Sequence, residues 1–430
     1  MLIAQEKFVP NYDETKIPKY RLPDPLILNN GMKVQNKEIW RNVRRPELLT
    51  VFAEEMFGKT PETAKKMQGK CRYELLSEKK DALDGKATRK EVRIHLTDKA
   101  EGPCLDLLIY LPNNAKKPVP AFLGLNFQGN QSVTDEPDVM ITESWCMNQE
   151  DDGRVVDHKS TEKSRGAEKS RWPVAMILDR DYALVVGYYG DIDPDFDDGF
   201  KNGVQPYFYR DGQAKPDPDE WGSIGAWAWG LSRGLDYLET ENAIDARHVV
   251  VFGHSRLGKT ALWAAAQDDR FAMAISNDSG CGGAALSKRE FGETVGSINA
   301  MFPHWFCDNF NKYNNNEQAL TFDQHELIAL IAPRPVYVAS AEKDEWADPR
   351  GELLGAVNAD AVYRLLGTDG IGDVISKNAT IADDGMIYEI KMPPLNAPTG
   401  ATIHYHIRSG VHDVTDYDWE QYLDFVDRYL

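Results

Sequence analysis

Apolar residues recur along this chain with two different periods, and the alternation between them outlines an architecture. Residues 36–57 (NKEIWRNVRRPELLTVFAEEMF) carry apolar side chains at helical spacing. Three strand-like runs follow at 71–76, 87–96 and 104–111. Residues 120–126 (PAFLGLN) and 182–189 (YALVVGYY) are near-continuous apolar runs, the pattern expected of central strands buried on both faces. Beyond them the spacing predicts a helix over 222–238, a buried strand over 248–253, a helix over 256–267 and a strand over 271–277. After an irregular block (279–320) come an apolar segment at 326–331, a strand at 336–341 and a helix at 352–366. A strand at 402–407 and a final helix at 417–430 close the chain. Strands alternating with helices over the last two-thirds predict one mainly parallel, doubly wound α/β sheet. The polar stretches 129–172 and 367–400 are too long for plain connections and read as insertions. Residues 1–35, rich in Pro, Asn and Lys, are expected to form an extended arm laid over a single domain spanning 36–430.

Composition narrows the function classes. The chain has 430 residues with 42% hydrophobic and 27% charged, and no apolar run approaches the roughly 18 residues of a membrane span. A formal net charge of −19 repels phosphate backbones and anionic lipid, which argues against nucleic-acid or membrane partners. Ten Trp and 18 Tyr supply flat faces that suit either a core or sugar stacking. The five cysteines (Cys71, Cys104, Cys146, Cys281, Cys307) form no CxxC pair and allow at most two bridges. No His/Cys/Asp cluster has metal-ligand spacing, so neither metal nor cofactor is expected. Residues Met1–Gln5 lack a basic and apolar leader pattern, so the protein is either cytoplasmic or a leader has been removed.

Candidate chemistry centres on residues 249–259, VVVFGHSRLGK. Ser255 stands where a buried strand turns sharply into a helix, which exposes its hydroxyl above the sheet and aims free helix N–H groups at the same point. The pattern is G-x-S-x-x-G, one residue longer than the usual hydrolase elbow; a plain helix N-cap is the alternative reading. A serine needs a base, and the base a carboxylate, in the chain order Ser, acid, His. The 336–341 strand runs into Asp344 and the 402–407 strand into His412, so both follow the carboxyl ends of strands. His404 and His406 alternate within their strand and suit packing, and His254, beside the serine, is expected to point away from its hydroxyl.

At these residues the chain resembles the glucuronoyl esterases, carbohydrate esterase family 15. Their elbow reads G-[CH]-S-R-x-G-K, here Gly253-His254-Ser255-Arg256-Leu257-Gly258-Lys259. The likeness continues through WGSIGAWAWGLSRGLDYLE (221–239), SGCGGAALSKREFGE (279–293), FPHWF (302–306) and APRPVYVASAEKDEWADPRGE (332–352). With the N-terminal PKYRLPDPL and RRPELL it spans nearly the whole chain and is strongest toward bacterial members. It implies an α/β-hydrolase, a three-layer sandwich with long insertions, in which Ser255 is the nucleophile and His412 the base. Fungal members carry a Glu acid at the position of Asp278, whereas bacterial members often use the later Asp, here Asp344. Both acids are retained, Asp344 preferred for its loop position; the plain alternative for Asp278 is an Asx turn ending a strand. Arg256 is implied at the oxyanion, and Lys259, Glu293 and Trp346 at the sugar hydroxyls; the segment Gly124–Asn130, following a central strand, is placed to contribute to the oxyanion region. The implied substrates are 4-O-methyl-glucuronoyl esters joining lignin alcohols to glucuronoxylan, acted on by an exported monomer. Acetylxylan deacetylation on the same triad is the nearest rival, and a non-catalytic carbohydrate-binding protein the rival from another class.

Overall fold

The computed structural model describes residues 8–430 apart from 117 and 150, so the Met1–Gln5 expectation lies outside the described residues. Its frame is a ten-stranded sheet. The strands are β1 (Arg72–Ala82), β2 (Ala87–His95), β3 (Cys104–Pro112), β4 (Val119–Asn126), β5 (Ala183–Tyr188), β6 (Ile244–His254), β7 (Met273–Asn277), β8 (Val336–Ala341), β9 (Thr399–Gly400) and β10 (Ile403–Arg408). They lie in the order β1-β2-β3-β5-β4-β6-β7-β8-β10-β9. β1, β2 and β3 form an antiparallel meander that joins β5 antiparallel, and β9 pairs antiparallel with β10 at the far edge. From β5 through β4, β6, β7, β8 and β10 every pairing is parallel.

Side-chain alternation divides the core into two layers. Val249 and Val251 of β6 pack into one apolar cluster, while Val250 and Phe252 pack into the other. The first face is covered by α1 (Arg45–Glu55), α2 (Ser223–Leu238), α3 (Arg256–Gln267) and α4 (Pro349–Leu365). Every residue of α2 is buried, which explains why it is apolar nearly all round. The second face is covered by α5 (Asp416–Val426) and the short helix Val174–Leu178. The result is a doubly wound three-layer sandwich, as the alternation predicts.

The structure moves several boundaries. The late strand begins and ends one residue later than expected, bringing Arg408 into β10. α4 starts at Pro349 rather than 352, because Pro at the first position is preorganised for a helix and the Asp348 carboxylate accepts the Gly351 N–H (2.9 Å). The final helix stops at Val426, short of 430. The 326–331 segment belongs to a helix at Gln324–Ala329, and the block read as irregular holds a helix at Val295–Met301, started by a Thr294–Ser297 capping box. The stretch 367–400 carries a short helix, Val374–Asn378, and the edge strand β9. All five cysteines are free thiols.

The N-terminal segment makes specific contacts with the body. Asn11 C=O accepts the Gly292 N–H (2.8 Å), and Glu14 pairs with Arg289 (2.9 Å) and Arg350 (3.1 Å). Leu22 and Leu28 are buried in the larger core cluster.

Candidate active site

Because the central strands are parallel, their carboxyl ends share one edge of the sheet. β5, β6, β7, β8 and β10 deliver Asp195, Ser255, Asp278, Asp344 and His412 respectively just past that edge.

Ser255 has φ 57° and ψ −128°, a strained conformation for a residue with a side chain. Although it occupies the N-cap position of α3, its side chain makes no capping bond, so the hydroxyl is not used as an ordinary cap. Its N–H donates to Asn277 C=O (2.9 Å), tying the turn to β7. The two glycines of the motif permit this fold of the chain. A Cβ on Gly253 would lie 1.9 Å from Leu257 O, and one on Gly258 would lie 2.9 Å from Ser279 Cβ. The extra residue in G-x-S-x-x-G thus places a glycine where α3 crosses the turn after β7.

His412 Nδ1 lies 2.5 Å from Asp344 Oδ2. The carboxylate is buried, whereas the imidazole is about two-fifths exposed, at 41%. Engagement of Nδ1 leaves Nε2 as the free ring nitrogen. His254 lies beside it, ring centroids 4.5 Å apart, with Nδ1 held 2.6 Å from Asn277 Oδ1. Burial, then the neighbouring His412 ring, drives the His254 pKa well below the usual histidine range, so it stays neutral.

Asp278 has φ 45° and is fully buried. Its Oδ2 accepts only long bonds, from Asp413 N–H (3.3 Å) and Arg408 Nη2 (3.4 Å), and Oδ1 has no partner among the described residues. Burial first, then the charges of Glu352 and Asp344, pushes its carboxyl well above the ordinary range. Ligand atoms of Asp278, Asp344 and His412 lie within 4.8 Å of one another, the grouping among the described residues that could hold a cation. Within this grouping His412 Nδ1 is engaged by Asp344. Arg408 braces the loop that carries the histidine. It donates to the carbonyls of Val411 (3.0 Å) and Asp413 (2.5 Å), and its Nε donates to Asp418 (2.8 Å). His406 lies in the sheet's second face, between Tyr337 Oη (2.8 Å) and Asp418 (2.9 Å); His404 is buried beside Phe425.

Arg256 extends into an aromatic enclosure. Its guanidinium carbon lies 4.6 Å from the ring centre of Trp305, 5.3 Å from Phe302 and 5.8 Å from Phe127. Nη1 donates to Asp195 Oδ2, while Nε is buried without a partner among the described residues. Phe127 is the residue by which the 124–130 segment reaches this enclosure. Lys259 is buried, its Nζ donating to Ser279 C=O (2.7 Å), 3.7 Å from Glu293 and 5.7 Å from the Trp305 ring centre. The Glu293 N–H donates to Trp346 C=O (3.0 Å), and burial raises the Glu293 pKa despite the nearby lysine. Trp346 is half-buried, with Phe8 edge-on to its ring (6.1 Å). The residues singled out in sequence therefore form two groups, one of Asp344, His412 and Asp278 and the other cationic and aromatic around Arg256 and Lys259.

Comparison with known proteins identifies the lineage. A family model described as glucuronyl esterase, fungi, matches residues 215–367, a span that holds Ser255, Arg256, Lys259, Asp278, Glu293, Asp344 and Trp346 but not His412. Over 421 residues the chain is 47% identical to carbohydrate esterase MZ0003 of an unknown prokaryotic organism, covering 98% of this chain and 92% of the relative. The solved glucuronoyl esterase from Solibacter usitatus is 48% identical, with a TM-score of 0.87, covering 96% of this chain and 99% of that one. The chain belongs to carbohydrate esterase family 15. A promiscuous family 15 esterase from a marine bacterial metagenome superposes comparably, at TM-score 0.86 and 46% identity over 98% of this chain and all of that one. The α/β-hydrolase fold follows from membership, and the sheet order above is its realisation here.

Residues that mattered but were not singled out in sequence are Asp195, Arg408, Asp418, His304 and Trp305. Asp195 ends an acidic run, Asp191-Ile192-Asp193-Pro194-Asp195, directly after a central strand. That placement was the available signal.

Proposed function

We propose that this family 15 member hydrolyses esters of 4-O-methyl-glucuronate through a serine acyl-enzyme, with Ser255, His412 and Asp344 as the triad. The observation that carries this reading is the 2.5 Å contact from His412 to Asp344 at the edge where the strained Ser255 elbow ends β6. Ser255 Oγ attacks the C6 carbonyl while His412 Nε2 takes its proton; Asp344 holds the ring orientation and stabilises the imidazolium. Charge developing on the carbonyl oxygen is met by Arg256 through its first-turn backbone N–H and its part-exposed guanidinium. His412 returns the proton to the leaving alcohol, and water then releases glucuronate by the same steps in reverse order.

Lys259, Glu293 and Trp346 are proposed to grip the sugar on the acyl side, and Asp278 to act from behind the histidine rather than as its principal acid. The substrate is neutral at the reacting carbon, so the chain's −19 charge does not oppose its approach, and it favours departure of the anionic product. The natural substrate is taken as a lignin-alcohol ester of glucuronoxylan, met outside the cytoplasm by a monomeric enzyme. No described helix is long and apolar enough to cross a membrane.

Turnover of benzyl glucuronate against p-nitrophenyl acetate tests the reading. A strong preference for the glucuronate ester is expected, because the cationic–aromatic group recognises the acyl part. Preference for the acetate would support the acetylesterase alternative, and inertness toward both a binding role.

A further inference from the structure

We infer that Asp195 is the positioning residue for Arg256, fixing the guanidinium and the Trp305 indole together so that the cation faces the reacting carbonyl. The inference rests on the oxyanion role proposed for Arg256. Asp195 lies past the end of β5, is buried, and contributes a carboxylate with every bonding direction occupied. Oδ2 accepts from Tyr189 Oη (2.8 Å) and Arg256 Nη1; Oδ1 accepts from His304 Nε2 (2.8 Å) and Trp305 Nε1 (2.7 Å). Two of those four donors, Arg256 and Trp305, belong to the cationic–aromatic group.

The consequence for Arg256 is geometric. An arginine side chain has several rotatable bonds and, unanchored, would sample solvent. Here one terminal nitrogen is held by Asp195 and the planar group sits among Trp305, Phe302 and Phe127. The side chain nevertheless stays 21% exposed, so the anchored guanidinium remains reachable from outside. The same carboxylate fixes Trp305, whose ring centre lies 4.6 Å from the Arg256 guanidinium carbon and 5.7 Å from Lys259 Nζ, with Phe302 stacked on it at 3.8 Å. Burial alone would raise the Asp195 pKa, but His304, Arg256 and Trp305 together hold it below the ordinary range, so the anchor stays charged.

A double-mutant cycle distinguishes positioning from plain structural support. Wild type, Asp195→Asn, Arg256→Ala and the double variant are compared for kcat and KM on benzyl glucuronate. The amide offers a donor where two donors already converge, so Asp195→Asn is expected to lose roughly 10²-fold in kcat, with KM little changed. If Asp195 acts through Arg256, the double variant is no slower than Arg256→Ala alone. Losses that multiply, or an Asp195→Asn enzyme at wild-type rate, would overturn the inference while leaving the oxyanion role of Arg256 standing. Arg256→Ala at wild-type rate would remove that role, and the inference with it. Should Asp195→Asn not fold, Asp195→Glu keeps the charge and both acceptors but displaces the guanidinium. Its loss should likewise vanish in the Arg256→Ala background, and persistence there would count against the inference.

Discussion

Asp344→Asn is the substitution that most directly probes the proposed relay, and the structure sets its size. The carboxylate sits 2.5 Å from the His412 ring and is only 7% exposed, but the ring is 41% exposed, so the pair is partly screened and a surface-like dielectric applies. Two unit charges about 4 Å apart at an effective dielectric near 20 attract by about 4 kcal/mol. Losing that support for the imidazolium costs about three powers of ten, at about 1.4 kcal/mol per tenfold. An amide at Nδ1 also favours the wrong tautomer, which brings the expected loss in kcat to about 10⁴. Asp278→Asn should behave differently. Burial and the charges of Glu352 and Asp344 push its pKa well above the usual range, which favours the neutral acid, and an amide closely resembles that form. A loss of about tenfold or less is therefore expected for that variant. The assay is kcat on benzyl glucuronate at neutral pH, with near-UV circular dichroism to verify packing. Equal losses in the two variants would refute this assignment, as would mild single losses with a severe double mutant, which would mean the two acids share the histidine.

Three further outcomes are expected. Ser255→Ala should abolish ester hydrolysis with the thermal midpoint little changed; a well-folded variant retaining more than a few per cent of the rate would remove the nucleophile. Glu352, buried with its pKa pushed up to about 8 mainly by desolvation, accepts the Ser279 and Gly280 N–H groups and meets Ser340 Oγ at 2.6 Å. A raised acid contributes stability that is full below its unfolded pKa near 4.5 and is lost as pH rises toward 8, so Glu352→Gln should gain on wild type by up to ~1.4 kcal/mol per pH unit between about pH 5 and 8. Thermal melts across that range measure it, and a pH-independent difference would contradict it. Arg408→Lys keeps the charge but not the fork that holds Val411, Asp413 and Asp418, so a loss of about 3 kcal/mol in denaturant unfolding and a lower kcat are expected; unchanged stability would show that the His412 loop stands without this brace.

Much of the framework is legible in one dimension because it depends on local rules. Unbroken apolar runs such as 120–126 and 182–189 belong inside a doubly covered sheet, and G-x-S-x-x-G has the small residues that a strand-to-helix turn requires. Two glycines, Gly253 and Gly258, stand where any Cβ would collide. Parallel strands then bring Ser255, Asp344 and His412 to one edge from chain order alone. Irregular segments were less legible. The helix Val295–Met301 depends on a two-residue cap rather than a long periodic run, and β9 is two residues paired at an edge.

What only the tertiary structure decided concerns charge. Asp278 and Asp344 follow adjacent strands and both end near His412, so chain order cannot rank them. Packing ranks them: Asp344 contacts the ring, while Asp278 is enclosed with Glu352 and Asp344 and held by two long bonds. In the same way Asp195 meets Arg256, His304 and Trp305 from segments 61 to 110 residues away. The sequence by itself determined which residues could turn, pack and reach the catalytic edge, since these follow from volume and backbone geometry. Protonation and ion pairing depend on the solvent excluded and the charges gathered from distant segments, and those quantities exist only once the chain has folded.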